Sequence, residues 1–196
     1  MEEGLIKITP NKEKTKSILK MVDTTLEMIK VIDIDKFSSH VTKEYYDVLR
    51  ELISVVLLLD GYKTYGEGAH KKLVEYLQSN YNEFDEYEIS LIDDLRITRN
   101  KIAYDGFFVE KDYISRKLKD IQKTIGKLKQ LIKTKLVESN WKRVHHKYLK
   151  YLSQQNTYYI LFCLTNVSEK KIARVQFSFL DEKWTALMRT LNTWSF

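Results

Sequence analysis

Asp93-Asp94-Leu95-Arg96-Ile97-Thr98-Arg99-Asn100-Lys101-Ile102-Ala103-Tyr104-Asp105-Gly106 is the stretch on which the reading of this chain turns. Leu91, Leu95, Thr98 and Ile102 recur at helical spacing and make one buried stripe. Gly106 supplies the left-handed residue that ends a helix. Beside the stripe run Ile92, Arg96, Arg99 and Ala103, and beside those Asp93, Arg96, Asn100 and Tyr104. Two arginines therefore stand at the edge of an apolar face, next to an asparagine and a tyrosine at i, i+4, which makes a small polar site. Arginines in such places ordinarily snorkel or pair with a nearby carboxylate, here Asp93 or Asp94.

Upstream, the pattern is helical almost throughout. An extended lead-in over residues 1–10 ends at Thr9-Pro10, and Asn11 is the N-cap of a first helix with Ile18, Val22, Thr25, Ile29 and Ile32 on its core face. This helix ends before Ser38-Ser39. A second helix, residues 39–60, carries Val41, Tyr45, Val48, Leu52, Val55, Val56 and Leu59 and is apolar nearly all round in its last turns, which makes it the central helix. Asp60-Gly61 stops it. Residues 61–68 read as a three-glycine loop without the spacing of a phosphate cradle. His70 opens a short third helix, residues 69–79, that buries Leu73 and Leu77. The fourth helix follows Asn82-Glu83-Phe84-Asp85 and leads into the opening stretch. Beyond Gly106, Ile114, Leu118, Ile121, Ile125, Leu128 and Ile132 alternate steps of four and three, predicting a fifth helix over 110–138 with a lysine-rich outer face.

The 196 residues divide by charge near Ser139. Residues 1–139 hold 24 Lys and Arg against 24 Asp and Glu, so the net +6 comes entirely from residues 140–196, with 9 against 3. The expected fold class is mainly α: a helical bundle over 1–139 and a basic α/β extension over 140–196. In the extension a helix over 141–152 precedes a β-hairpin (157–164 with 173–180) and a short terminal helix. Lys142, Arg143, His145, His146, Lys147 and Lys150, interleaved with Trp141, Tyr148 and Tyr151, suit either a nucleic-acid-contacting helix or a surface helix that packs through its aromatics. No apolar run is long enough to span a membrane, and the N-terminal residues do not read as a secretory signal. The single cysteine, Cys163, excludes an intrachain disulfide, and the four histidines lack metal-ligand spacing. The expectation is therefore a cytoplasmic protein with no metal and no cofactor.

Three features carry a family resemblance. Gly61-Tyr62-Lys63-Thr64-Tyr65-Gly66-Glu67-Gly68-Ala69-His70 precedes the short third helix, Arg99-Asn100-Lys101-Ile102-Ala103-Tyr104 lies near the end of the fourth, and a long helix closes the array. Together they resemble the HEPN superfamily (higher eukaryotes and prokaryotes nucleotide-binding domains) over about two-thirds of the chain. Arg99-Asn100 matches the start of that family's R-x(4–6)-H motif, and Tyr104 stands where the histidine belongs.

The resemblance implies an antiparallel HEPN-like bundle that forms a homodimer and binds RNA or a nucleotide at a cleft, in a toxin–antitoxin or defence system. It places Arg99, Asn100 and Tyr104 as catalytic-motif residues, with Arg96, Lys101 and His70 binding substrate. In metal-independent RNA cleavage a cation stabilises charge on the phosphorane and a second group moves the 2′-hydroxyl proton. Arg99 suits the first role. A tyrosine, whose ordinary pKa is about 10 against about 6.5 for histidine, serves the second poorly. The expected ribonuclease activity is accordingly weak or absent. The alternative is a non-catalytic adaptor that partners a small nucleotidyltransferase acting as antitoxin, with Arg96 and Arg99 as structural ion-pair residues.

Overall fold

The computed structural model describes residues 4–154. The hairpin, the terminal helix and Cys163 expected after residue 155 lie outside the described residues, as do the side chains proposed for a basic, aromatic-interleaved face after Trp141. Those described form β1 (Leu5–Lys7), α1 (Lys12–Val31), α2 (Ile34–Asp60), β2 (Tyr62–Thr64), α3 (Ala69–Asn80), α4 (Glu86–Asp105) and α5 (Lys111–Gln154). The mainly helical bundle is as expected. No described helix is long and apolar enough to cross a membrane.

The helix starts follow from capping chemistry. The Asn11 side chain accepts from the Lys14 amide at 2.9 Å. Asp85 and Glu88 form a reciprocal capping box at the start of α4. α2 begins five residues earlier than its apolar stripe predicts. Asp33 caps it, accepting from the amides of Asp35 and Lys36, and the helix then kinks at Phe37 (φ −119°, ψ 28°) before reaching Ser38. α5 runs through Ser139-Asn140 without a break, so the helices expected at 110–138 and 141–152 are one. Its sequence from Lys127 to Gln154 contains neither glycine nor proline, the two residues that would stop it.

α2 is the axis of the core. Leu49, Leu52, Val55, Val56 and Leu57 are all at most 1% exposed, and α1, α3 and α4 all pack on it. α4 runs antiparallel to α2: Ser39 lies by Gly106, whereas Asp47 pairs with Arg99 farther along. α5 closes the array through Ile114, Ile121, Leu128 and Ile132, each buried. Its lysines are not merely solvated. Lys129 reaches Asp23 of α1 at 2.5 Å, Lys135 reaches Asp60 at the end of α2 at 2.5 Å, and Lys117 pairs with Asp94 of α4.

Two details escape the helical pattern. The glycine-rich loop contains β2, which pairs antiparallel with β1 in the register Leu5 to Thr64, Ile6 to Lys63 and Lys7 to Tyr62. Gly61 makes this return possible: its φ of +82° is left-handed, and a Cβ there would sit 3.1 Å from the Ile8 carbonyl oxygen. The link between α4 and α5 is fastened to α2. The Ser38 hydroxyl donates to the Val109 carbonyl, and the Val109 amide donates to Ser39 Oγ at 2.8 Å, all buried.

Two glycines on this frame predict opposite outcomes. Gly126 lies exposed inside α5 with open space where a Cβ would go, so Gly126→Ala should stabilise by about 0.5–1 kcal/mol. Gly106 has the same open space but a φ of +64°, so Gly106→Ala should destabilise by about 1 kcal/mol. Urea midpoints that move in the same direction for both variants would contradict the assignment.

Candidate functional site

The polar site at the edge of the α4 stripe faces α2. Arg96, Arg99 and Ala103 lie at i, i+3 and i+7 of α4, so their side chains share the flank that meets Tyr46, Asp47 and Arg50 of α2. Arg96 behaves as local pairing predicts: it holds Asp93 with Nε–Oδ1 2.7 Å and a second, longer bond at 3.4 Å. Arg99 does not. It reaches across to Asp47, Nε–Oδ1 3.8 Å, beyond hydrogen-bonding distance. The same Asp47 oxygen accepts from Arg50 Nε at 3.2 Å, and Arg50 also touches Glu51 at 3.4 Å. Arg99 Nε is buried and finds no hydrogen-bond partner among the described residues.

α3 brings His70 to this group. Its ring centroid is 6.2 Å from that of Tyr46 at an interplanar tilt of 52°. Burial pushes the His70 pKa below its ordinary value, and Arg50, Arg99 and Arg96 push it the same way against Asp47. Tyr46, 1% exposed, is raised to about 12 by burial, with the three arginines opposing. Arg96 is raised, first by its bond to Asp93. Burial also raises Glu51, with Arg50 opposing.

One turn along both helices, about 5.4 Å, lies a groove of about 310 Å³. Lys43 of α2 and Ala103 of α4 line it, one turn from Asp47 and Arg99 respectively, together with His40, Phe107 and Phe108. Phe107 and Phe108 are 51% and 85% exposed. A cationic group thus adjoins a groove walled by aromatic rings.

The residues expected at the site are only partly gathered. Arg96, Arg99 and His70 converge. Asn100 is half-buried one turn beyond Arg96, and Tyr104 projects from the last turn of α4 with 78% of its surface exposed. Lys101 lies on the opposite flank of α4. There its charge helps to hold Asp94 below the ordinary carboxylate value, a shift that burial opposes and the bonds from Lys117 and Tyr113 drive. Tyr46, Asp47 and Arg50 complete the site and were not foreseen. Their only signal in the sequence is a cluster of charged residues beside the apolar stripe of α2. Compared with family models and with curated proteins, the chain matches none.

Proposed function

We propose that the chain is a HEPN-like homodimeric protein that binds RNA or a nucleotide along the α2–α4 face, in a toxin–antitoxin or defence-type system. Ribonuclease activity is weak or absent. The observation that carries this reading is the under-satisfied Arg99. Its side chain is four-fifths buried and, among the described residues, has only a long approach to a carboxylate already used by Arg50 and keeps a buried N–H without an acceptor. A buried donor left unmet costs about 1–3 kcal/mol, and phosphate oxygens match a guanidinium fork bidentately. Lys43 and the rings of Phe107 and Phe108, one turn away, add a second cation and surfaces on which bases can stack. Tyr104, open to solvent at the end of α4, adds a further ring and does not replace a histidine as base.

A second reading is favoured by Arg96, whose fork is occupied by Asp93, and by Arg50, which is shared between Asp47 and Glu51. On this view the arginines are structural and the bundle is an adaptor for a nucleotidyltransferase-like partner. The test is retention of labelled RNA by the full-length protein at low salt with EDTA present. Arg99→Ala is expected to weaken binding roughly tenfold and to reduce the salt slope by about one, with little change in Tm. No retention at low salt would count against RNA binding. Arg99→Ala that lowers Tm like a core substitution and leaves retention unchanged would favour the adaptor.

A further inference from the structure

We propose that Arg50 and Arg99 form a site for a phosphate-class dianion, and that its occupancy is coupled to a proton on His70. The inference rests on the reading of Arg99 as an anion ligand and adds Arg50 and His70 to it. The geometry supplies the reason. One carboxylate oxygen, Asp47 Oδ1, stands 3.2 Å from Arg50 Nε and 3.8 Å from Arg99 Nε, so it is bonded to the guanidinium of one helix and beyond hydrogen-bonding reach of the other. An oxyanion with several oxygens and two charges provides the acceptors that Asp47 cannot.

His70 enters from a third helix and stands beside the same charges. Its ring lies against that of Tyr46 of α2, and it feels the charges of Asp47 and Arg50 from α2 and of Arg96 and Arg99 from α4. On its own helix, Glu75 is held by Lys71 at 3.6 Å and by Lys72 at 2.9 Å. Without an anion, burial and the arginines favour the neutral imidazole. A dianion resting on the guanidinium groups cancels their field and attracts the imidazolium, so binding draws a proton onto His70. Linkage is reciprocal: if the anion raises the affinity of His70 for a proton, protonation of His70 tightens the anion by the same factor. The site therefore holds its ligand more firmly as pH falls through the His70 titration.

The probe is inorganic sulfate, which has phosphate-like geometry and keeps a constant charge between about pH 5 and pH 8, where histidine titrates. The four histidine ring signals of the full-length protein are followed by NMR across that range, with His70 identified by its loss in His70→Gln. Saturating sulfate should raise the His70 pKa by about one unit relative to chloride at matched ionic strength, which corresponds to about tenfold tighter sulfate binding by the imidazolium form. The shift should disappear in Arg99→Gln and shrink in Arg50→Gln. The second variant keeps the test open if the first fails to fold. A His70 signal that sulfate leaves in place, or moves as far in both variants as in the wild type, overturns the proposal. RNA retention that depends on Arg99 while His70 is unmoved would sink the proton coupling and leave the RNA reading intact. A sulfate shift without RNA retention supports the oxyanion site and removes RNA as its ligand.

Discussion

Asp60→Ala is expected to lower the stability of the protein by about 3 kcal/mol, the cost of breaking a largely buried ion pair together with two hydrogen bonds. Asp60 ends α2 with its side chain 18% exposed and gathers three donors from three parts of the fold. Tyr76 of α3 donates its hydroxyl at 3.0 Å, Tyr81 donates from the α3–α4 link, and Lys135 of α5 approaches at 2.5 Å. Alanine leaves the two hydroxyls without this acceptor and strands a lysine that is only 21% exposed. Asp60→Asn keeps an acceptor but loses the charge, so it should cost less. Urea denaturation followed by far-UV circular dichroism separates the three proteins, and equal midpoints for wild type and Asp60→Ala would refute the argument.

The same residue shapes the alkaline limit. Burial, and then the bond to Asp60, hold the Tyr81 pKa well above the ordinary tyrosine value; Tyr113 is raised by burial, and Tyr46 to about 12. A pKa raised in the folded state means that the folded protein keeps protons which the unfolded chain releases. The associated stability is fully present below the unfolded value of about 10 and is lost as pH rises through the folded values. Unfolding midpoints should therefore fall steeply above about pH 10.

Lys127→Met is expected to cost about 2–3 kcal/mol, because it removes the nearest cation from a carboxylate that has almost no access to water. Glu88 is 1% exposed, its Oε2 stands 2.7 Å from Lys127 Nζ, and the next lysine, Lys123, is at 3.5 Å and 60% exposed. The Asp85 amide remains as a donor at 3.2 Å, which limits the loss. Lys16→Met is the control. Lys16 faces Glu13 at 3.7 Å with both side chains mostly in solvent, and such pairs contribute about 0–1 kcal/mol. Midpoints that fall equally for the two variants would show that burial of Glu88 does not carry the effect.

What the sequence discloses here is what neighbouring residues decide. Asn11, Asp85, Gly61 and Gly106 mark helix ends because capping acts within one turn, and the seam of α5 is legible because its period is local. The three-residue strands β1 and β2 are too short to show a periodicity, and they pair across more than fifty residues of chain. The site follows the same division. The Arg96–Asp93 pair is three residues apart and was readable. The reach of Arg99 to Asp47 and the approach of His70 from α3 depend on how α2, α3 and α4 are packed, whereas helical period alone puts Lys101 on the other flank of α4 from Arg99.

The fastening of Val109 by Ser38 and Ser39 has a consequence for the two rings beside the groove. Phe107 and Phe108 lie between a left-handed glycine, Gly106, and a backbone unit bonded at both its amide and its carbonyl. A segment of two residues with both ends fixed has little conformational freedom to surrender. Whatever stacks on these rings therefore meets a backbone that is already in place, and less of the interaction is spent on ordering that backbone than a free loop would demand.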